Sequence, residues 1–203
     1  MITDHVHISH VTKLGGSIPC VNLPAVETCR EDAPCFKKCY GRKGRFAFSH
    51  NKSLLQRNLA IWKEEPNQYE RDVTIAAFHS RFFRWHSSGD IPDLSYLRMM
   101  VRVARALPNT RFLCFTKRYE WVDQVMWECD FPKNLQIVLS AWGDWQPDNP
   151  RNLPVAYIRF KKGETNNIPE TAHSCRKFCG DCVMTGCSCW DLKPGESVVF
   201  DEH

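Results

Sequence analysis

The sequence predicts an α/β fold in which parallel strands form a partial (β/α) barrel, followed by an irregular, cysteine-rich C-terminal segment. Between residues 51 and 160, apolar runs typical of buried strands alternate with stretches of helical periodicity. Strands separated by helices in this way indicate parallel βαβ units. The strand runs are apolar throughout, as expected when helices cover a sheet. After Lys161 the chain becomes polar and then cysteine-rich, so we expect little regular structure there.

Each element is predicted from its own pattern. Leu55, Leu59 and Trp62 share one face of the first helix, and Asp93 can cap the third. The β-branched run 135–139 is typical of a strand. The predicted elements are helices at 51–62, 69–80, 94–107 and 120–128, and strands at 82–85, 111–116, 135–139 and 155–160. We therefore divide the chain into a partial barrel at 1–160, with a cysteine loop at 20–45, and an extension at 161–203 that packs on the barrel.

Composition and charge bear on the partners and the compartment. The net charge is only +4, and Arg98, Arg102 and Arg105 line the solvent face of a predicted helix, which favours a solvated surface over a nucleic-acid interface. No apolar run approaches the roughly 20 residues that a bilayer requires. The first residues do not follow the pattern of a secretory signal, so we expect a cytoplasmic protein with no membrane partner.

The chain contains 11 cysteines, and most of them fall in two groups. In a reducing compartment, grouped cysteines favour metal ligation over disulfides. Cys29, Cys35 and Cys39 have the spacing C-x5-C-x3-C in one loop. Three cysteines suit a [4Fe–4S] cluster with one open iron better than they suit zinc, although a zinc-bound surface loop remains an alternative. We expect Cys20, nine residues upstream, to be a core residue.

The second group lies between residues 175 and 189. Five closely spaced cysteines can satisfy a zinc ion or a second iron–sulfur cluster with one left over. In an alternative arrangement, Cys187 or Cys189 crosses over and closes the first cluster as its fourth ligand. The candidate ligands are Cys175, Cys179, Cys182, Cys187 and Cys189.

Polar residues follow three of the predicted strands. They are the turn at 86–90, which contains Ser88, Gly89 and Asp90, then Lys117, and then Ser140. In parallel α/β folds the loops that follow the strands carry the chemistry, so these side chains would converge on one pocket if the sheet curls. Ordinary turn chemistry explains each of them taken alone.

Landmarks spread in order over most of the chain match those of a known family. They are Cys29-x5-Cys35-x3-Cys39-Tyr40, Asn58, His86-Ser87-Ser88-Gly89-Asp90 with Tyr96, Phe115-Thr116-Lys117, Asn134, Ser140, the C-terminal cysteines, Val198-Val199-Phe200 and His203. On these landmarks the chain resembles the gene-product-88 family of tailed phages and prophages. For a phage-encoded protein, the expected compartment is the cytoplasm of the host cell.

The family pattern is in turn similar to that of radical S-adenosylmethionine (SAM) enzymes, in which a cysteine triad precedes a Gly-Gly-Glu turn that holds the methionine amine. The resemblance implies a barrel of radical-SAM type and assigns Gly89 and Asp90, with the adjacent Ser88, to SAM. Lys117 and Ser140 are further implied contacts. The triad departs from the usual C-x3-C-x2-C spacing of those enzymes.

Three functions are therefore compared. The first is an enzyme in which the cluster cleaves SAM reductively, with a small molecule or a peptide as substrate and a separate electron donor. The second is a non-catalytic iron–sulfur or zinc protein in which cysteines fill every ligand position, with a structural, redox or electron-transfer role. The third, a nucleic-acid-binding module, is the least favoured.

Overall fold

A computed structural model describes residues 5–10, 18–162, 165–186 and 189–202. Within these residues the chain forms eight strands and six helices, joined in places by short 3-10 turns. The strands are β1 (Ile8–His10), β2 (Pro19–Val21), β3 (Phe82–Trp85), β4 (Arg111–Thr116), β5 (Leu135–Ser140), β6 (Val155–Arg159), β7 (His173–Ser174) and β8 (Ser197–Asp201). The helices are α1 (Cys35–Lys38), α2 (Ser49–Glu64), α3 (Pro66–Phe78), α4 (Leu94–Ala106), α5 (Tyr119–Glu128) and α6 (Cys179–Thr185).

The strands form a single, mostly parallel sheet in the order β1-β2-β3-β4-β5-β6-β8-β7. β1 is antiparallel to β2, and every later pairing is parallel. Among the described strands, β1 and β7 are the edges, so the sheet is open and does not close into a barrel. The α/β class is confirmed, whereas a barrel of radical-SAM type is not.

The predicted elements between residues 51 and 160 are present, with small shifts at their ends. Asp93 caps α4 as expected, because its carboxylate accepts a hydrogen bond of 2.8 Å from the Tyr96 amide. The expectation of little regular structure after Lys161 is wrong. That segment contains β7, α6 and β8, and β8 pairs with β6 over five residues.

Helices α2 to α5 cover one face of the sheet and bury its main core. Trp62, Tyr69 and Tyr96 pack edge to face there, with ring centroids 4.9 to 5.7 Å apart. Trp85 lies against this group from β3 and is fully buried. Burial of such side chains contributes about 1.5–3 kcal/mol each, so this face stabilises the fold.

The second face of the sheet carries a smaller core, which the C-terminal segment covers. Leu113, Val138 and Val198 project from β4, β5 and β8 and are buried beneath Trp190. Arg111 donates a hydrogen bond of 2.8 Å to the Trp190 carbonyl. Both faces are therefore covered, which accounts for the apolar strands.

The arginine stripe on α4 lies at the surface, as predicted for a solvated face. Arg98 pairs with Glu128 at 2.6 Å, and Arg102 pairs with Glu70 at 2.6 Å. These acidic partners offset much of the positive charge. In the described part of the chain, no helix combines the length and the apolar character needed to cross a membrane.

Candidate functional site

The turn after β3 is built around a buried asparagine. The Asn22 side-chain oxygen accepts hydrogen bonds from the amides of Ser87, at 2.6 Å, and Ser88, at 3.0 Å. Gly89 follows with φ +82°, and a Cβ atom there would lie 2.7 Å from the Leu23 carbonyl oxygen. Only glycine fits this close approach, so the turn after β3 packs directly on the chain that follows β2.

Asp90 joins the ends of two neighbouring strands. Its carboxylate accepts hydrogen bonds from the Thr116 hydroxyl at 2.6 Å, the Lys117 amide at 2.9 Å and the Ile91 amide at 2.8 Å. Burial raises the pKa of Asp90, and these hydrogen bonds act in the opposite direction. The carboxylate predicted to bind an amine is thus engaged largely in fastening β4 to β3.

The first cysteine loop is held against the same strand ends on both sides. Arg30, next to Cys29, donates to the Glu120 carboxylate at 2.5 Å and to the Lys117 carbonyl at 3.3 Å. Arg118 donates to the Thr28 carbonyl at 2.7 Å. On the other side, the Tyr40 hydroxyl donates to the Ser87 carbonyl.

These contacts hold the loop that carries Cys29, Cys35 and Cys39 at the carboxyl ends of β3 and β4. All three are free, partly buried thiols. Burial, and then the charge of Asp90, raise the pKa of the Cys29 thiol to about 12, and the charges of Cys39 and Cys35 act in the same direction. Burial also raises the pKa of Cys35, whereas the Lys117 ammonium lowers it.

Ser88 and Ser140, two other residues predicted to contact SAM, have different surroundings. Ser88 is 3% exposed, and its hydroxyl has no hydrogen-bond partner among the described residues. A Cβ atom at Gly41 would lie 3.1 Å from the Ser88 hydroxyl oxygen and 3.4 Å from the Cys39 sulfur, so both groups face the same spot. Ser140 ends β5, where its carbonyl accepts a hydrogen bond from Tyr119.

The second cysteine group occupies a different place. Cys175, Cys179 and Cys189 pack against the second face of the sheet, and Cys182 lies on the same short helix as Cys179. Cys187 and His203, both named from the sequence, lie outside the described residues. Cys20 is fully buried, which confirms it as a core residue.

The thiols of the triad and of the second cysteine group are ligands of the type that zinc and iron–sulfur clusters prefer. In the described residues, however, no group of three or more His, Cys, Asp or Glu side chains is arranged to hold a metal ion. A single zinc ion binds each sulfur at about 2.3 Å, so its sulfur ligands must nearly touch. A cluster binds each thiolate to a different iron and does not require such close sulfurs. In kind, the three thiols of the triad suit either centre, and their number matches a cluster with one open iron.

The residues that position the site were not predicted from the sequence. These residues form hydrogen bonds between distant parts of the chain; they are Asn22, Thr28, Arg30 and Arg118. Arg30 and its partner Glu120, for example, are 90 residues apart in the sequence. A local pattern cannot reveal such contacts. Arg30 had one local signal, its position beside a candidate ligand.

The fold and the site define an α/β protein with an open, mostly parallel sheet and a cysteine triad at the ends of its strands. The family model of gene product 88 matches residues 4–177. The chain belongs to this family, a result consistent with a phage protein. No curated protein and no solved structure matches the chain. The resemblance to radical SAM enzymes gains no support from these comparisons and stays a prediction.

Proposed function

We propose that the protein is an iron–sulfur protein of phage origin that holds a [4Fe–4S] cluster on Cys29, Cys35 and Cys39. The observation that carries this proposal is the loop with three partly buried thiols, which hydrogen bonds hold at the carboxyl ends of β3 and β4. Three cysteines leave one iron without a protein thiolate, so that position is open to a ligand. When bound, the cluster would supply single electrons at that position.

Lys117 is the group near the triad that favours an anionic centre, and it acts against the burial and the Asp90 charge that raise the pKa of Cys29 and Cys35. The Lys117 ammonium acts on the Cys35 thiol, where positive charge favours the thiolate that metal binding requires. The buried Ser88 hydroxyl lies near Cys39 and can donate a hydrogen bond to sulfur. Hydrogen bonds to cluster sulfurs and limited solvent exposure both tune the reduction potential.

SAM is the ligand we propose for the open position. Its methionine carboxylate would pair with Lys117, and its amine would bind near Ser88 and Gly89. Asp90 supports this arrangement by fixing the turn, since its oxygens already accept three hydrogen bonds. The substrate would be a small molecule or a peptide, and an external donor would supply the electron.

Anaerobic reconstitution with iron and sulfide tests the cluster. We expect the wild-type protein to develop thiolate-to-iron absorption and an EPR signal after reduction with dithionite. Cys35→Ala should lose the part of both signals that the triad's cluster contributes. Cys129→Ala, which changes a partly buried thiol outside both groups, should keep them. If Cys35→Ala binds as much iron and sulfide as the wild type and has the same EPR signal, the cluster assignment is wrong.

Addition of SAM tests the ligand separately. We expect SAM to change the EPR signal of the reduced cluster. One electron from dithionite should cleave SAM into methionine and a 5′-deoxyadenosyl radical, which takes a hydrogen atom from the substrate or the buffer and is recovered as 5′-deoxyadenosine. If SAM neither changes the EPR signal nor is cleaved, the SAM proposal is wrong, while the assignment of an iron–sulfur cluster still holds.

One observation favours a second candidate, a non-catalytic protein in which cysteines fill every ligand position. The C-terminal segment covers the second face of the sheet, where a barrel enzyme would hold its substrate, and Trp190 is buried there. In that case the centre would carry electrons, sense redox state or stabilise the fold. Loss of the triad's cluster in Cys189→Ala would identify Cys189 as its fourth ligand and favour this candidate.

A further inference from the structure

Three C-terminal cysteines, Cys175, Cys179 and Cys189, pack against the second face of the sheet, and a fourth, Cys182, lies on the helix that carries Cys179. Cys175 directly follows β7, Cys179 and Cys182 are one turn apart on α6, and Cys189 directly precedes the buried Trp190. Residues three apart on a helix lie on the same side. Cys175, Cys179 and Cys189 all contact the core of this face.

The backbone fixes the first of these thiols firmly. The Cys175 amide donates a hydrogen bond of 2.9 Å to the Val199 carbonyl in β8. The Lys177 amide lies 3.4 Å from the Cys175 sulfur and points at it as a donor. Hydrogen bonds to cysteine sulfurs are a feature of thiolate-liganded iron–sulfur centres.

Helix α6, which carries Cys179 and Cys182, has few buried contacts of its own. Helix α6 has seven residues, all described, and none of them is buried. Phe178 is 52% exposed and Met184 is 86% exposed. Lys177 has φ +75°, a conformation that L-residues rarely adopt. Isolated helices shorter than about 12 residues are marginal in water, so an additional interaction must hold α6 in place.

Cys189 groups with the C-terminal cysteines by its position. Cys175, Cys179 and Cys189 pack against the same small core, which contains Trp190.

We propose that Cys175, Cys179, Cys182 and Cys189 bind one thiolate-liganded metal centre, which fastens residues 175–192 to the second face of the sheet. Four thiolates are the donor set of a structural zinc ion and equally of an iron–sulfur cluster. This site is independent of the triad and of the function proposed for it. No group of three or more His, Cys, Asp or Glu side chains in the described residues is arranged to hold a metal ion. A single zinc ion would therefore require these sulfurs to close together on binding, as in proteins where metal binding completes folding, whereas a cluster would require less closure.

The first test uses the wild-type protein and needs no variant. The protein is purified anaerobically, its zinc, iron and sulfide are measured, and its accessible thiols are alkylated before peptide mass spectrometry. We expect Cys175, Cys179, Cys182 and Cys189 to be protected, and to become reactive after chelation or acid release of the metal. Zinc identifies an ion at this site. Because the triad's cluster also contributes iron and sulfide, a second cluster is identified by the iron and sulfide that the double variant described below loses. Ready alkylation of all four in protein that contains metal would overturn the proposal.

The second test separates the two sites. Cys179→Ala with Cys182→Ala should remove the metal of this site and leave the iron and sulfide of the triad. Cys35→Ala should do the reverse, and Cys129→Ala should change neither. If the double variant keeps the full metal content, the proposal fails, whatever the outcome at the triad. If the double variant is insoluble, the alkylation pattern of the wild-type protein decides.

Discussion

At the residue scale, His86 is restricted in its backbone conformation, its solvent exposure and its protonation state. It follows β3 with φ +54°, in the left-handed region, and is 3% exposed. Its Nε2 atom lies 3.0 Å from the Tyr96 hydroxyl, which is itself 2.8 Å from the Tyr69 hydroxyl. Its Nδ1 atom is buried without a hydrogen-bond partner among the described residues. Burial, and then the charge of Arg84, lower the pKa of His86 to about 3, so the folded protein keeps the ring neutral.

The neutral His86 predicts a loss of stability in acid. Below pH 6.5 the unfolded chain binds a proton at this histidine, whereas the folded protein does so only near pH 3. Stability therefore falls as the pH falls from 6.5 towards 3. We expect this group to lower the free energy of unfolding by about 2 kcal/mol between pH 8 and pH 5, measured by urea denaturation.

His86→Asn is the matched variant, because asparagine tolerates positive φ and does not titrate. Its free energy of unfolding should fall less than that of the wild type over the same pH range, by the same margin of about 2 kcal/mol. If the free energies of unfolding of the two proteins change equally with pH, His86 is not held neutral in the folded protein.

At the scale of elements, a buried side chain on α2 connects this helix to two strands. Asn58 is fully buried; its side-chain oxygen accepts from the His7 amide at 2.7 Å, and its nitrogen donates to the carbonyls of His7 and Asn22 at 3.0 Å each. Asn58→Ala leaves these three backbone groups without their partner. We expect it to lower the free energy of unfolding by about 2–4 kcal/mol in urea denaturation.

Gln56→Ala is the control on the same helix, since Gln56 is exposed and its side chain contacts the exposed Glu27. Its effect should stay within about 0.5 kcal/mol. Equal effects of the two substitutions would mean that α2 is not anchored through Asn58.

The elements also show why the sequence predicted some parts of the fold and not others. Helices α2 to α5 and strands β3 to β6 are long enough for their periodicity to be recognised. β2 has only three residues, Pro19-Cys20-Val21, and its place in the sheet depends on pairing with β3, over sixty residues away. β8 contains the apolar run Val198-Val199-Phe200 but lies in a polar segment. Tertiary pairing, which a local pattern does not contain, defines both strands.

In the candidate site, too, local sequence patterns were recognised and tertiary contacts were not. Residues with distinctive chemistry, such as the triad and the turn at 86–90, were predicted, because cysteine spacing and a glycine–acid turn are local signals. The amine-binding role of Asp90 remains a prediction, and the structure adds a positioning role through Thr116. Asn22 carried no signal, since its importance comes from the amides that it binds across the sheet.

At the scale of the whole molecule, the C-terminal segment completes the sheet and covers its second face. The family match ends at residue 177, yet β8 lies beyond that point and is inserted between β6 and β7. Trp190 and Val198 are both 4% exposed in the second core. The residues after 177 therefore form part of the same folded body as the family region.

This arrangement predicts that a chain ending at Lys177 does not fold stably, although it spans the family match. The truncation removes the partner of β6 along five residue pairs and exposes the apolar side chains of the second face, including Leu113 and Val138. We expect the shorter chain to lose its cooperative thermal unfolding transition and to bind a hydrophobic dye. Its NMR amide signals should be poorly dispersed, as in an unfolded protein. A chain ending at Glu202 is the control and should behave as the full chain. A cooperative transition in the shorter chain, at the temperature of the control, would show that the family region folds without β8.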